Sequence, residues 1–92
     1  MKNEIKGLTV IPGVGKSIAQ DLWNIGIKRV EDLKGKSPEQ LYDASNKFAG
    51  VVQDKCLLYV FRCAVYYAQT SKDKLDTEKL KWWYWKNDVI NN

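Results

Sequence analysis

The stretch Leu8-Thr9-Val10-Ile11-Pro12-Gly13-Val14-Gly15-Lys16-Ser17-Ile18-Ala19 constrains the fold of this chain more than any other. A short apolar approach meets a Pro-Gly-x-Gly turn, and a helix with a small residue near its start follows at once. Glycines two apart admit positive φ angles that cost a side-chain-bearing residue about 1–2 kcal/mol. They also leave no side chain in the way of a bulky ligand. The amides of Val14, Gly15 and Lys16 open a helix without intrahelical acceptors, so they are expected to point outward. Such a start suits a phosphate oxygen, with Lys16 and Ser17 supplying a cation and a hydroxyl beside it. The same glycines are what a tight αα turn needs with no ligand at all, so both readings stand.

No segment alternates with period two, and helix boundary signals recur along the chain, which predicts an all-α domain. A first short helix is expected over 3–10, with Ile5 and Leu8 inward, and a second over 15–25. In the second, Ile18, Leu22 and Ile25 repeat at helical spacing, with Ala19 and Trp23 beside them. Gly26 and Ile27 make a Schellman-type stop. A short helix over 29–34 ends at Gly35. Ser37-Pro38-Glu39-Gln40 is a helix start with a cap, a proline at N1 and the means for a capping box. That helix is expected to run to Phe48, burying Leu41, Ala44 and Phe48, and to break at Gly50. The longest helix spans 53–69 and is apolar around most of its circumference, so it is central. Its narrow polar stripe is Lys55, Tyr59, Arg62, Tyr66 and Gln69. Residues 71–75 form a connector, and Asp76 or Thr77 caps a last helix through Lys86. In that helix Leu80 and Trp83 face the core while Trp82 and Trp85 share a neighbouring face.

Ninety-two residues make one domain, 1–92, and leave no room for a catalytic domain plus a substrate domain. No apolar run approaches the roughly 18 residues that span a bilayer, and the first residues lack a secretory leader. The cytoplasm is the expected compartment, with no membrane partner. The net charge of +4 leans toward an anionic partner, although the lysines are scattered along the chain, as solubility alone would place them. Cys56 and Cys63 stand two helical turns apart, about 10 Å, too far for a disulfide. Both read as buried apolar side chains. With no histidine in the chain, no mixed zinc site can form, and no metal or cofactor is expected.

The Pro12–Ser17 hairpin resembles a helix-hairpin-helix motif, a module that grips the nucleic-acid backbone without reading sequence. Beyond it, Asp21-Leu22-Trp23-Asn24-Ile25-Gly26-Ile27, Val30-Glu31-Asp32-Leu33, the run Leu57 to Ala68 and Lys81-Trp82-Trp83 resemble, in this order, the small bacterial pathogenicity locus family. The likeness covers nearly the whole chain. It implies a five- to six-helix, SAM-like bundle built on a helix-hairpin-helix unit. Residues 38–48, the turn Phe48-Ala49-Gly50-Val51-Val52 and the long helix resemble a second hairpin, degenerate because Val52 stands where a second glycine would. That copy is expected to pack and not to grip phosphate.

Two other phosphate motifs fail on single residues. A Walker A loop ending in Gly15-Lys16-Ser17 would need glycine where Val10 stands, and a dinucleotide fingerprint would need it at Ile18. Catalysis has no histidine as base, Asp21 reads as solvated surface charge, the thiols read as buried rather than activated, and no second domain forms a cleft, so no enzyme is expected. Sequence-independent, weak, salt-sensitive binding of nucleic acid, duplex DNA ahead of RNA, is the leading expectation, carried by Gly13, Val14, Gly15, Lys16 and Ser17. The alternative is a protein-interaction module or an accessory subunit. Its hairpin would be purely structural, with Trp82 and Trp85, or the Tyr59-Arg62-Tyr66 stripe, meeting the partner. The bland reading of that stripe pairs Arg62 with an acid of the last helix, such as Glu78.

Overall fold

A computed structural model describes residues 6–85 of the chain. Its centre is the helix α3, Lys55–Gln69, which is preceded by α1, Lys16–Asn24, and α2, Pro38–Ala49. Short 3-10 turns at Gly7–Val10, Val30–Leu33, Lys72–Lys74, Thr77–Leu80 and Trp82–Trp85 link or follow them, and the described residues hold no strand. The all-α class is therefore observed, with three α-helices among the described residues and 3-10 turns where the helices after Ile27 and after Leu75 were expected. The radius of gyration of 12.5 Å matches the roughly 12 Å of a compact chain this long.

The starts of α2 and α3 and the ends of α1 and α2 are set by local chemistry. Asp54 caps α3, its carboxylate accepting from the Cys56 N–H at 2.9 Å. The Ser37 hydroxyl accepts from the Gln40 N–H at 3.3 Å, with Pro38 at N1, and Gly50 closes α2 in the left-handed region, at φ 76°. At the end of α1 the Gly26 and Ile27 amides donate to the Trp23 and Leu22 carbonyls, the two bonds of a Schellman stop, with Gly26 at φ 96°.

Leu57, Val60, Phe61, Ala64 and Ala68 of α3 are buried against Ala19 and Leu22 of α1, Leu41 of α2, and Leu8, Ile11, Ile27 and Leu33 of the connections. A fully buried side chain of the size of Leu22 or Phe61 contributes about 1.5–3 kcal/mol. The α2–α3 connection is locked by Gln53. Its N–H donates to Asn46 and its side-chain amide to Ser45 and Asn46, while its carbonyl accepts from the Tyr42 hydroxyl.

Several sequence expectations are corrected. Of the first helix, residues 7–10 form a 3-10 turn with Leu8 fully buried, and Ile5 lies outside the described residues. Phe48 is 64% exposed and Ala44 only half-buried, while Leu41 is buried as expected. Cys56 is exposed in the first turn of α3, on the side away from the buried Leu57 and Leu58, whereas Cys63 is buried as expected. The turn meant to pack does not: Val51 and Val52 are 62% and 83% exposed.

The last helix is two 3-10 turns, the first capped by Asp76, and its expected end at Lys86 lies outside the described residues. The 3-10 repeat of three residues per turn stacks i on i+3. Trp82 and Trp85 therefore share the inner side, while Trp83 and Tyr84 face out, which reverses the expectation for Trp83.

Candidate functional site

The hairpin begins as a tight turn in which the Val14 N–H donates to the Ile11 carbonyl at 3.0 Å, with Pro12 and Gly13 between them. Gly13 takes φ +87°, as the third position of a type II turn requires. Val14 is buried at 5% exposure. Its amide is spent inside the turn and its side chain anchors the turn to the core, so Val14 is not the outward donor its position in the sequence suggested. Gly13 has Trp82 beside it, with indole Cδ1 3.6 Å from where a Cβ would stand. One side of the turn thus meets the C-terminal 3-10 turn, while Gly13 itself stays exposed.

Gly15 differs in both respects. Its φ is −93° and ψ −170°, an extended conformation open to any residue, and nothing lies within 4 Å of its Cβ position. Only Gly13 needs the positive φ expected of both. Gly15 is the N-cap of α1, and no side chain caps that helix. Serine or aspartate would cap it better than glycine by a few tenths of a kcal/mol, so nothing inside the protein requires a glycine here. The first N–H groups of α1 have no intrahelical acceptors, and Gly15, Lys16 and Ser17 are all exposed around them. The first acid along α1 is Asp21, whose carboxyl is pushed up by partial burial.

Cys63 sits where the turn and the C-terminal segment meet. Its Sγ is 3.3 Å from the Leu80 carbonyl, 3.6 Å from that of Lys79 and 3.9 Å from that of Pro12. Burial pushes its thiol up to about 11. The thiol is a small internal donor, held far from the reactive thiolate form.

The Tyr59-Arg62-Tyr66 stripe is engaged within the fold. Arg62 is 12% exposed and donates from Nε and Nη2 to Glu39 at 3.2 and 3.0 Å and from Nη1 to the Trp85 carbonyl at 2.8 Å. Its acid partner is Glu39 of α2 in place of Glu78, which pairs with Lys81 at 3.4 Å. The Tyr66 hydroxyl accepts from the Asp76 N–H at 2.8 Å, and its ring lies 5.6 Å from that of Trp85. Trp82 and Trp85 are half-buried, and the exposed aromatics of the segment are Trp83 and Tyr84. A 3.6-residue pattern could not reveal that pair; only the 3-10 geometry turns it outward.

Among the described residues no cluster of three His, Cys, Asp or Glu side chains could hold a metal, and no helix is long and apolar enough to cross a membrane. The sequence profile of the family described as "Pathogenicity locus" matches residues 1–89. The mitomycin resistance protein McrB of Streptomyces lavendulae is 34% identical over 58 residues, which are 63% of this chain and 55% of that protein. The match thus spans about half the length of that relative. No solved structure matches the chain.

Proposed function

The chain belongs to the pathogenicity locus family, and from its open helix start at Gly15 we propose that it is a helix-hairpin-helix protein that grips a nucleic-acid backbone, duplex DNA ahead of RNA, without reading sequence. The observation that carries this reading is Gly15 itself. It is a glycine in a conformation that does not need one, beside open space, at the uncapped start of a nine-residue helix. A close-approaching phosphate is a reason for it that the protein's own packing does not supply. The donors are the exposed amides at Gly15, Lys16 and Ser17, with the lysine and serine side chains beside them. Gly13 and Val14 serve by shaping and anchoring the turn.

The role is binding without chemistry of its own, in the cytoplasm. One hairpin neutralises one or two phosphates, so log affinity falls with log salt at a slope of roughly −1 to −2. Titration of a labelled random-sequence duplex at two salt concentrations tests this. Weak, salt-sensitive binding that Lys16→Glu removes is the expected result. Equal binding by wild type and Lys16→Glu would take the hairpin out of the interface.

A second reading, a protein-interaction module with a structural hairpin, draws on the apolar turn after α2, where Phe48, Val51 and Val52 all stand exposed. Indifference to every nucleic acid, together with loss of a partner complex on Val52→Ser, would favour it.

A further inference from the structure

Trp83 and Tyr84 are 54% and 47% exposed, in a segment whose other two aromatics are turned inward. They do not stand at random on the surface. The Trp82 side chain lies against Gly13, and the Trp83 ring meets Trp82 edge-on at 5.7 Å and 89°. The exposed indole is therefore linked through Trp82 to Gly13 of the turn, on the chain just before the donors at Gly15. Lys81 lies 6.0 Å from the Trp83 ring centroid, with its charge shared with Glu78. Tyr84 is braced by Trp85 at 5.2 Å, near-perpendicular. Each exposed ring is thus positioned before any ligand arrives, which lowers the entropy cost of stacking on it.

Bases inside a duplex have both faces covered by their neighbours and offer nothing to such a ring. An unpaired base does. Resting on the phosphate-binding reading above, we infer that Trp83, flanked by Tyr84, stacks an unpaired base of the strand whose phosphate the hairpin holds. The preferred ligand is then DNA in which a duplex gives way to a single strand.

The test compares, by fluorescence anisotropy, a blunt duplex, the same duplex with a single-stranded overhang, and one with an abasic overhang of equal length that adds phosphates without bases. Wild type is expected to bind the base-bearing overhang roughly five- to hundredfold more tightly than the other two. Trp83→Ala should erase that increment and leave blunt-duplex affinity unchanged, while Trp83→Phe keeps most of it. The exposed position makes each variant a foldable one, which circular dichroism checks. Equal affinity for all three ligands would overturn this proposal and leave the hairpin reading standing. So would an increment that survives Trp83→Ala, or an aromatic pair found to mediate self-association with no overhang preference. Binding to none of the three would overturn both.

Discussion

Two glycines separated by one residue take different backbone conformations. Gly13, at φ +87°, meets Trp82 at ordinary contact distances, so replacing it strains the backbone and little else. Gly13→Ala is expected to cost about 1–2 kcal/mol, read as a lower urea midpoint at unchanged slope. Gly15→Asp puts a good capping residue in a conformation it readily adopts, so stability should hold or rise by a few tenths of a kcal/mol. Its carboxylate then occupies the donors a phosphate would need, and duplex binding should vanish. A stable Gly15→Asp variant that binds like wild type would show that these amides are not the contact. The Pro-Gly-x-Gly turn was legible in the sequence, but the backbone conformation of each glycine was not. A glycine codon is equally compatible with either sign of φ, and only the position of Val14 in the core settles which one each adopts.

Among the elements, those ended by local capping agree with the pattern of the sequence. The Val30–Leu33 turn adds a case with a pH signature. Asp32 accepts from the Lys28 and Arg29 amides at 3.0 and 3.1 Å, and first the Lys28 bond, then that of Arg29 and the nearby cations, hold its carboxyl below the ordinary 3.8. The folded chain therefore releases this proton more readily than the unfolded one. The stabilisation is fully present above pH 3.8 and lost as pH falls through the lower folded value. Asp32→Asn should lower Tm at neutral pH, with the gap to wild type closing in acid, as followed by thermal melts across that range. A gap that stays constant with pH would mean that the charged form is not what the two amides hold. The C-terminal turns show the converse. Asp76 caps as expected, yet four consecutive bulky aromatics leave the α-repeat, and the shorter 3-10 repeat puts Trp82 and Trp85 on one side.

At the scale of the whole molecule, α3, the hairpin turn and the C-terminal segment meet at Cys63. Its neighbour two turns away, Cys56, is exposed. With a thiol pushed up to about 11 by burial, Cys63 has only about a thousandth of its population as thiolate at pH 8. A thiol reagent should therefore modify Cys56 rapidly and Cys63 only as fast as the C-terminal turns lift from the hairpin, with both reacting quickly in denaturant. Two fast thiols in the native protein would mean that those turns do not stay against the hairpin. Arg62 likewise joins Glu39 of α2 to the Trp85 carbonyl.

Helical class, caps, glycine stops and the central apolar helix were all readable from residue order, because each depends on neighbours within four positions along the chain. Partners distant in sequence were not. The choice of Glu39 over Glu78 for Arg62, the exposure of Phe48, the contact of Trp82 with Gly13 and the outward turn of Trp83 each rest on which surfaces meet when α1, α2 and the 3-10 turns close around α3. Periodicity tells how apolar a face is, but many faces of this chain are apolar enough to pack. Volume and hydrogen-bond satisfaction choose among them only once the chain is folded.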